Sequence, residues 1–364
     1  MKKINIGIIL IFFAISGVYG QSSGDFGRFS GNFQIDAQYY GEDEAIQAET
    51  PDEEIMSKSW MYLTYNLSNF EMGMRYEAYL NPTLDLDPRY EGQGIPFLYV
   101  SYKSDLVDIS AGDFYEQFGS GLIFRAYEER LLGLDNAVNG ARVKLRPVDG
   151  IEFTGLIGKQ RQYWDMGEGI VRGGDVSVDV TSIFEGILPE TYWLELGGSV
   201  VSKYEDSAST YYKLPPNSLA WSGRMTLAGS FFTFDAEYAY KNNDPHAANL
   251  YNYNPGRGFM TNASFYGKNF GAIINAHWID NMDYRSQRTA TVNDLFINFI
   301  PPLTKQHAYR LMTIYPFATQ FGGEGGVQAE VTYKIPKNTL LGGEYGTSVK
   351  ANFSQINSID TTQT

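Results

Sequence analysis

The chain has 364 residues, with 28 Lys and Arg against 42 Asp and Glu, no Cys, and a formal net charge of −14 at pH 7. The lack of Cys excludes disulfides and thiol chemistry, and the acidic surplus disfavours binding to nucleic acid or to anionic lipid headgroups. An aromatic content of 15% argues against a disordered chain.

The first twenty residues have the pattern of a secretory signal peptide. MKKINIGIILIFFAISGVYG places two Lys before an apolar run over 4–15 and ends on a small residue, which predicts cleavage near Gly20–Gln21. Removing these residues takes away two Lys and no acid, so the mature charge becomes −16. Beyond them no apolar run approaches the roughly 20 residues of a membrane helix. If the protein crosses a membrane, it must do so as a closed β-barrel.

Residues 57–80 alternate with the period of a β-strand on both sides of a turn at Ser68–Asn69. One register aligns apolar side chains on one face and polar side chains on the other, which predicts an antiparallel hairpin. The apolar pairs are Leu67–Phe70, Tyr65–Met72, Leu63–Met74 and Met61–Tyr76, and the opposite face pairs Asn66–Glu71, Tyr62–Arg75 and Trp60–Glu77.

The same alternation predicts further hairpins along the chain. Short turns are expected at 68–69, 104–105, 147–149, 229–230, 268–269 and 336–338, and long polar loops at 41–54, 81–94, 113–136, 161–172, 204–220, 242–257 and 281–324. Pairs expected beside the turns are Tyr102–Val107, Leu145–Ile151, Lys144–Glu152, Leu227–Phe232 and Arg224–Asp235. Strands of about 9–11 residues, with short connections at one end and long ones at the other, are typical of outer-membrane barrels.

The sequence therefore predicts an all-β fold: an antiparallel transmembrane barrel of about 14–16 or more strands in the outer membrane, with residues 21–364 as one domain. A soluble β-sandwich or propeller is the alternative. The tryptophans Trp60, Trp193, Trp221 and Trp278 are expected at the membrane interfaces. We count about fifteen strands where an even number is the rule, and the chain ends on the polar SQINSIDTTQT. We therefore expect the sequence to stop before the last strands of the barrel.

A dense charged insert separates the strands that end near Gly112 and begin near Val138. The block GDFYEQFGSGLIFRAYEERLLGLDNAVNGARVKLRP, residues 112–147, resembles an uncharacterised family of Bacteroidota outer-membrane β-barrel proteins. The resemblance covers about a tenth of the chain. It implies the outer-membrane location and the fold, and it implies no activity.

Two functions are compatible with this insert. Its charged residues are Asp113, Glu116, Arg125, Glu128, Glu129 and Arg130, and those expected on the inner wall are Arg75, Glu77, Arg142, Lys144, Glu152, Arg224, Asp235 and Glu237. In the first interpretation the insert folds into the lumen of a porin-like channel for small polar solutes and sets its selectivity. In the second it is an outward loop, or a strand extension above the membrane, held by its own ion pairs. Separately from the position of the insert, the alternative function is a barrel without transport that acts as a structural or assembly component of a secretion, gliding or glycan-uptake complex.

Enzymatic and metal-binding functions find little support. The only histidines are His246, His277 and His307, with no Ser–His constellation for acyl chemistry and no zinc-binding spacing. Loop 41–54 holds seven acids without the spacing of a calcium loop. We predict a protein that is not an enzyme and needs no cofactor or metal. Its expected partners are outer-membrane lipid, small polar solutes and envelope-complex proteins, and not nucleic acid.

Overall fold

The computed structural model describes residues 26–184, 186–206, 209–305 and 317–359, so the predicted signal peptide and His307 lie outside the described residues. The first strands are β1 (Arg28–Tyr39), β2 (Ile55–Leu67), β3 (Phe70–Tyr79), β4 (Gly92–Lys103) and β5 (Val107–Phe114), followed by four short ones, β6 (Glu116–Phe118), β7 (Phe124–Ala126), β8 (Glu128–Glu129) and β9 (Leu134–Asp135). The remainder are β10 (Val138–Val148), β11 (Ile151–Gln162), β12 (Asp165–Asp179), β13 (Trp193–Tyr204), β14 (Asn217–Gly229), β15 (Phe232–Lys241), β16 (Gly256–Tyr266), β17 (Phe270–Asp280), β18 (Gly323–Ile335) and β19 (Thr347–Ser358).

In the described residues, helical structure is confined to short pieces. One helix, α1 (Val180–Ile183), precedes β13, and single 3-10 turns occur at Pro88–Tyr90, Arg130–Leu132 and Ala247–Asn249. Across the described ranges, no helix has the length and apolar character needed to cross a membrane.

The fifteen long strands form one antiparallel sheet in which each strand pairs with its neighbours in the chain. The short strands form two separate ribbons, β6–β7 and β8–β9, between β5 and β10. Within the part of the chain that the structure describes, the outermost strands β1 and β19 each pair on one side. The expectation of an all-β, antiparallel fold with about fifteen strands is confirmed.

The two faces of this sheet have opposite chemistry. Leu98 and Val200 point outward and are 57% and 44% exposed, whereas Arg75 and Glu77 on the other face are each 1% exposed. Buried charges beneath exposed aliphatic side chains reverse the pattern of a water-soluble protein. This is the arrangement of a barrel wall whose outer face contacts lipid.

The sheet curls around its polar face. Glu77 on β3 and Arg161 on β11 lie four strands apart in the sheet, yet their Oε2 and Nη2 atoms are 2.7 Å apart. In a flat sheet, strands spaced about 4.8 Å would hold the two backbones roughly 19 Å apart. The wall therefore bends into a barrel that encloses these charges.

The predicted register is correct for the hairpins with turns at 68–69 and 268–269 and displaced by two residues for three others. The short turn predicted at 336–338 is wrong, because residues 336–346 connect β18 to β19. Every predicted pair between β2 and β3 is present. In the three displaced hairpins the partner lies two residues further along: Tyr102–Ile109, Leu145–Phe153, Lys144–Thr154, Leu227–Phe234 and Arg224–Glu237. Between β4 and β5 the turn is longer than predicted, since Ser104 N–H donates to the Val107 carbonyl. Between β10 and β11 the register shifts between Leu145 and Val148, and between β14 and β15 the two-residue turn lies at 230–231 and not at 229–230. Because a shift of two residues leaves every side chain on its own face, the predicted faces are still correct.

The predicted long loop at 161–172 is wrong. Residues 165–179 are β12, and only Tyr163 and Trp164 separate it from β11. Its glycines serve close packing: a Cβ on Gly169 would lie 1.8 Å from the Ser286 carbonyl oxygen. At the opposite end of the barrel, residues 180–192 form a longer connection containing α1. The connections at the two ends of the barrel therefore differ less in length than expected.

The interfacial position expected for Trp60 is also wrong. Its side chain is 3% exposed and packs inside the barrel with Tyr79, Leu86 and Tyr90. The alternation of β2 places Trp60 on the same face as Lys58 and Tyr62, which is the inner one. Trp221 and Trp278 are on the outer side, where they are 45% and 39% exposed. The outer position is wrong for Trp193, because the alternation of β13 places it on the same face as Glu195.

Engineered cysteines can test the corrected register of β4 and β5. In a chain without native Cys, Val100→Cys with Ala111→Cys places two thiols on directly opposed residues, and we expect a disulfide on mild oxidation. Val100→Cys with Ile109→Cys represents the register expected from a two-residue turn. Its Cβ atoms would lie about 7–8 Å apart, so this control should stay reduced. Thiol labelling followed by mass spectrometry reads out both variants, and equal cross-linking would contradict the observed register.

Candidate functional site

Two segments of the chain lie inside the barrel. Inner segment A, residues 115–137, connects β5 to β10. Near its start, the Tyr115 hydroxyl accepts a hydrogen bond of 3.1 Å from Arg75 on β3, and Ser120 N–H donates to Glu237 on β15 at 2.7 Å. Because β3 and β15 are eight steps apart in the sheet, segment A crosses the lumen.

Inner segment B, residues 281–305, belongs to the connection between β17 and β18 and contacts other parts of the wall. Gln160 on β11 donates to the Phe296 carbonyl at 2.7 Å, and the Tyr284 hydroxyl donates to the Ser218 carbonyl on β14 at 2.9 Å. Segments A and B also bond to each other: Arg125 N–H donates to the Ile297 carbonyl at 2.8 Å. The two segments form one inner layer.

An apolar core lies where both segments meet the wall. Its members are Phe118, Leu122, Ile123, Phe124 and Ala126 of segment A, Met282, Tyr284, Ile297 and Ile300 of segment B, and wall residues including Val138, Leu156, Val171, Val201, Ala220, Ala239 and Ile279. Small wall residues make space for it, since a Cβ on Gly173 would lie 2.7 Å from the Phe118 ring. A barrel interior is ordinarily polar, so these apolar wall positions mark where the inner segments bind. The charged insert therefore lies within the lumen and is not an outward loop.

Four buried charges tie segment A to two distant strands. Arg161 on β11 bonds Glu77 on β3 at 2.7 Å and Asp135 of segment A at 2.6 Å, while Arg75 contacts both of these acids. No side chain of the four is more than 6% exposed. Buried ions are stable only when they are paired and hydrogen-bonded. This cluster satisfies that condition, with two cations alternating with two anions.

Glu128 brings a third carboxylate to the cluster. Oxygen atoms of Glu77, Glu128 and Asp135 all lie within 4.8 Å of one another, a spacing compatible with a bound cation. Arg75 Nη1 lies 3.1 Å from Glu128 and Arg161 Nη2 lies 2.7 Å from Glu77. The guanidinium groups thus supply the counter-charge, and the geometry is that of an ion-pair network.

The predicted wall residues divide into separate pairs. Arg142 meets Asp108 at 3.1 Å and Glu116 at 3.2 Å, Lys144 meets Glu116 at 2.8 Å, Glu152 meets Arg146 at 2.7 Å, Arg224 meets Asp175 at 2.6 Å, and Asp235 accepts from Thr226 at 2.7 Å. The structure thus brings Glu116 of the insert to Arg142 and Lys144, and Glu128 to Arg75. The pairs of Arg224 and Asp235 lie on other strands.

The other predicted insert residues have individual roles. Asp113 accepts hydrogen bonds from Leu98 N–H and the Asn139 amide at 2.7 and 3.0 Å, so it joins β4 to β10. Arg125 stacks 4.3 Å from the centre of the Phe299 ring. Arg130 bonds Glu128 at 2.7 Å, and Glu129 is exposed.

Arg161 and Asp135 are the central residues that the sequence interpretation missed. Arg161 was assigned to a loop. A register break between Lys159 and Arg161 interrupts the alternation of β11, so Gln160 and Arg161 are both buried, and strict alternation would have placed Arg161 on the outer face. Asp135 lies in the insert among other acids, and no local pattern distinguishes it. Its importance depends on a contact with strands far away in the chain.

A second buried network lies at the loop end of the barrel. Lys203 bonds Asp244 at 2.7 Å, and His246 Nε2 lies 3.5 Å from Asp283 Oδ1. Burial lowers the pKa of His246 to about 4, so its imidazole is neutral at pH 7. On the neighbouring loop, hydrogen bonds from Arg89 lower the pKa of Asp87 to about 2. The charges at this end are thus held by pairing at neutral pH.

Two cavities lie on the inner side of the wall. The larger, about 520 Å³, lies between the inner segments, at Ser120 and Pro301–Leu303, and the inner face of strands β13 to β18. The smaller, about 320 Å³, lies against β2 to β5 and β10. Both linings combine charged and polar side chains with apolar ones.

Comparisons with known proteins give one family and a set of distant structures. A family model described as a family of unknown function, DUF6029, matches residues 1–364. No curated protein matches the sequence. The expectation of an uncharacterised family is confirmed, whereas the Bacteroidota origin stays a prediction.

Among solved structures, the chain is similar to outer-membrane proteins of Pseudomonas. A BenF-like porin from Pseudomonas fluorescens Pf-5 has 10% identity and a TM-score of 0.40, covering 90% of this chain and 92% of that one. OccK2 (OpdF) of Pseudomonas aeruginosa has 9% identity and a TM-score of 0.39, covering 90% of this chain and 92% of that one. The outer membrane protein OprD from Pseudomonas aeruginosa has 9% identity and a TM-score of 0.35, covering 90% of this chain and 87% of that one. Similarity at this level assigns no activity to the chain.

The buried cluster can be tested by removing one cation. Arg161→Met leaves Glu77 and Asp135 with Arg75 alone, and we expect the free energy of unfolding to fall by about 3–5 kcal/mol. Arg146→Met is the matched control, because its partner Glu152 and Arg146 itself are 32% and 41% exposed. Arg146→Met should lower the free energy of unfolding by less than about 1 kcal/mol. Urea titration of the protein in lipid vesicles, followed by tryptophan fluorescence, measures both, and similar losses would contradict the role of the cluster.

Proposed function

The chain belongs to the family of unknown function DUF6029, and we propose that it forms a porin-like channel for small polar solutes in the outer membrane. The observation that carries this proposal is the two-faced wall. Aliphatic side chains such as Val200 face outward, while charged side chains and two cavities lie inside. Such a wall separates lipid from a polar lumen, which is what a solute channel requires.

In this proposal the inner segments narrow the passage. Segment A crosses between β3 and β15, and segment B contacts β11 and β14, so a solute must pass beside them. Charged side chains at such a constriction select solutes by charge. Residues 1–20 would direct export of the protein, which then occupies the outer membrane as a single barrel domain.

The apolar core of the inner layer favours a second candidate function. Leu122, Ile123 and Ile297 are completely buried, as in a permanently packed protein interior. A barrel sealed by this layer would be a structural or assembly component of a secretion, gliding or glycan-uptake complex. It would conduct no ions and would copurify with envelope proteins. Neither candidate function involves catalysis or a cofactor.

Conductance in planar bilayers tests the channel. Phe114 and Val138 face each other, so deleting 117–132 leaves seven residues to close the hairpin. We expect the wild-type protein to conduct, and the deletion to raise single-channel conductance at least about twofold by removing the constriction. Deletion of 43–52, in the exposed acidic loop, is the control and should change conductance little. Unchanged conductance after the first deletion would contradict a narrowing role.

A charge on the outer face tests the membrane position of the wall. Val200 lies near the middle of β13, so Val200→Lys should cost about 2–4 kcal/mol of folding free energy in lipid vesicles. Leu67, beside the turn after β2, also faces outward. Leu67→Lys lies near the interface and should cost only about 0–1 kcal/mol. Urea-dependent folding into vesicles measures both, and the absence of a difference would argue for water at the outer face.

A further inference from the structure

The larger cavity is bounded by an ordered row of polar side chains. Six residues on six consecutive strands, β13 to β18, are cross-strand partners in turn: Glu195, Thr226, Asp235, Asn262, Asn275 and Gln328. All six line the cavity, and we call them the polar belt. Neighbouring members bond to each other, as Thr226 does to Asp235 at 2.7 Å and Asn262 to Asn275 at 2.5 Å. A continuous belt presents oxygen atoms along one side of the cavity.

The charge lining this cavity is predominantly negative. Glu195, Asp235 and Glu237 contribute three carboxylates, whereas Arg224 is the one Lys or Arg among the described lining residues. Arg224 is already engaged, because its two terminal nitrogens bond both oxygens of Asp175 at 2.6 and 3.0 Å. Little positive charge therefore remains to balance the three acids.

Glu237 provides an independent observation, because one of its carboxylate oxygens lacks a hydrogen-bond partner among the described residues. Its Oε2 accepts from Ser120 N–H at 2.7 Å, while Oε1 has no hydrogen-bond partner among the described residues although Glu237 is only 4% exposed. A buried carboxylate oxygen without a partner is costly, so it is a position where water, an ion or a ligand would be stabilised. The Glu237 side chain lines the cavity, beside the polar belt.

We propose that this cavity is a cation-binding station of the channel, which passes small cations in preference to anions. The proposal rests on the channel function above and adds the class of solute. Carboxylate and amide oxygens of Asp235, Glu237 and Asn262 replace part of the hydration shell of the cation, as oxygen-lined filters do. The smaller cavity has no excess of negative charge, because Lys103 and Arg142 balance Glu71 and Asp113 in its lining.

The reversal potential in a KCl gradient tests the proposal on the full chain in planar bilayers. The wild-type protein should prefer K⁺ over Cl⁻. Glu237→Gln should lower the permeability ratio about sevenfold, because removing a unit charge about 7 Å away in water disfavours the cation and favours the anion, each by a factor of about 2.7. The diamine putrescine should also block the K⁺ current of the wild type at lower concentration than that of Glu237→Gln.

Glu44→Gln, in the exposed loop 41–54, removes the same charge away from the cavity and should leave the ratio unchanged. An equal shift in both variants would show a general surface effect and overturn the assignment to this cavity. Conductance without a preference for cations would overturn the proposed cation-binding station but would still support the proposed channel function. Complete absence of conductance would overturn both. Heat-modifiable electrophoretic mobility of each variant verifies that it is folded.

Discussion

The ion-pair cluster of Arg75, Glu77, Arg161 and Asp135 connects three parts of the molecule that are remote in the chain. It links β3, β11 and segment A, so the curvature of the wall and the position of the insert depend on the same contacts. Each ion in it would be costly if left alone in a water-poor environment. The barrel therefore holds its insert through buried charge as well as through buried apolar area.

Space inside the barrel is created by small residues on the wall. Gly169, Gly173 and Gly258 stand where a Cβ would meet Ser286, Phe118 and Leu122, respectively. These glycines lie within regular strands, so their role is to admit the inner segments and not to bend the chain. Apolar packing occupies this level of the lumen, whereas the polar belt lines the cavity against β13 to β18. One wall thus combines a binding surface for the inner layer with the lining of a cavity.

Much of the fold could be predicted because strand alternation is a local property. The hairpin of β2 and β3 was predicted pair by pair, and the faces of Arg142, Lys144 and Arg224 were assigned correctly. Three other registers were displaced by two residues, since the face pattern is identical before and after such a shift. The loop predicted at 161–172 failed for a different reason. Glycines that make room for a distant segment have the same local appearance as glycines that make a turn.

The sequence by itself determined the strand faces, the approximate strand number and the unusual character of the insert. These properties follow from the alternation of neighbouring side chains and from composition, both of which are readable along the chain. Only the tertiary structure decided that Asp135 meets Arg161, that Trp60 is internal and that Glu237 borders a cavity beneath Ser120. Those facts depend on the closure of the wall around the inner segments. That closure brings together residues many strands apart, and no local pattern records it.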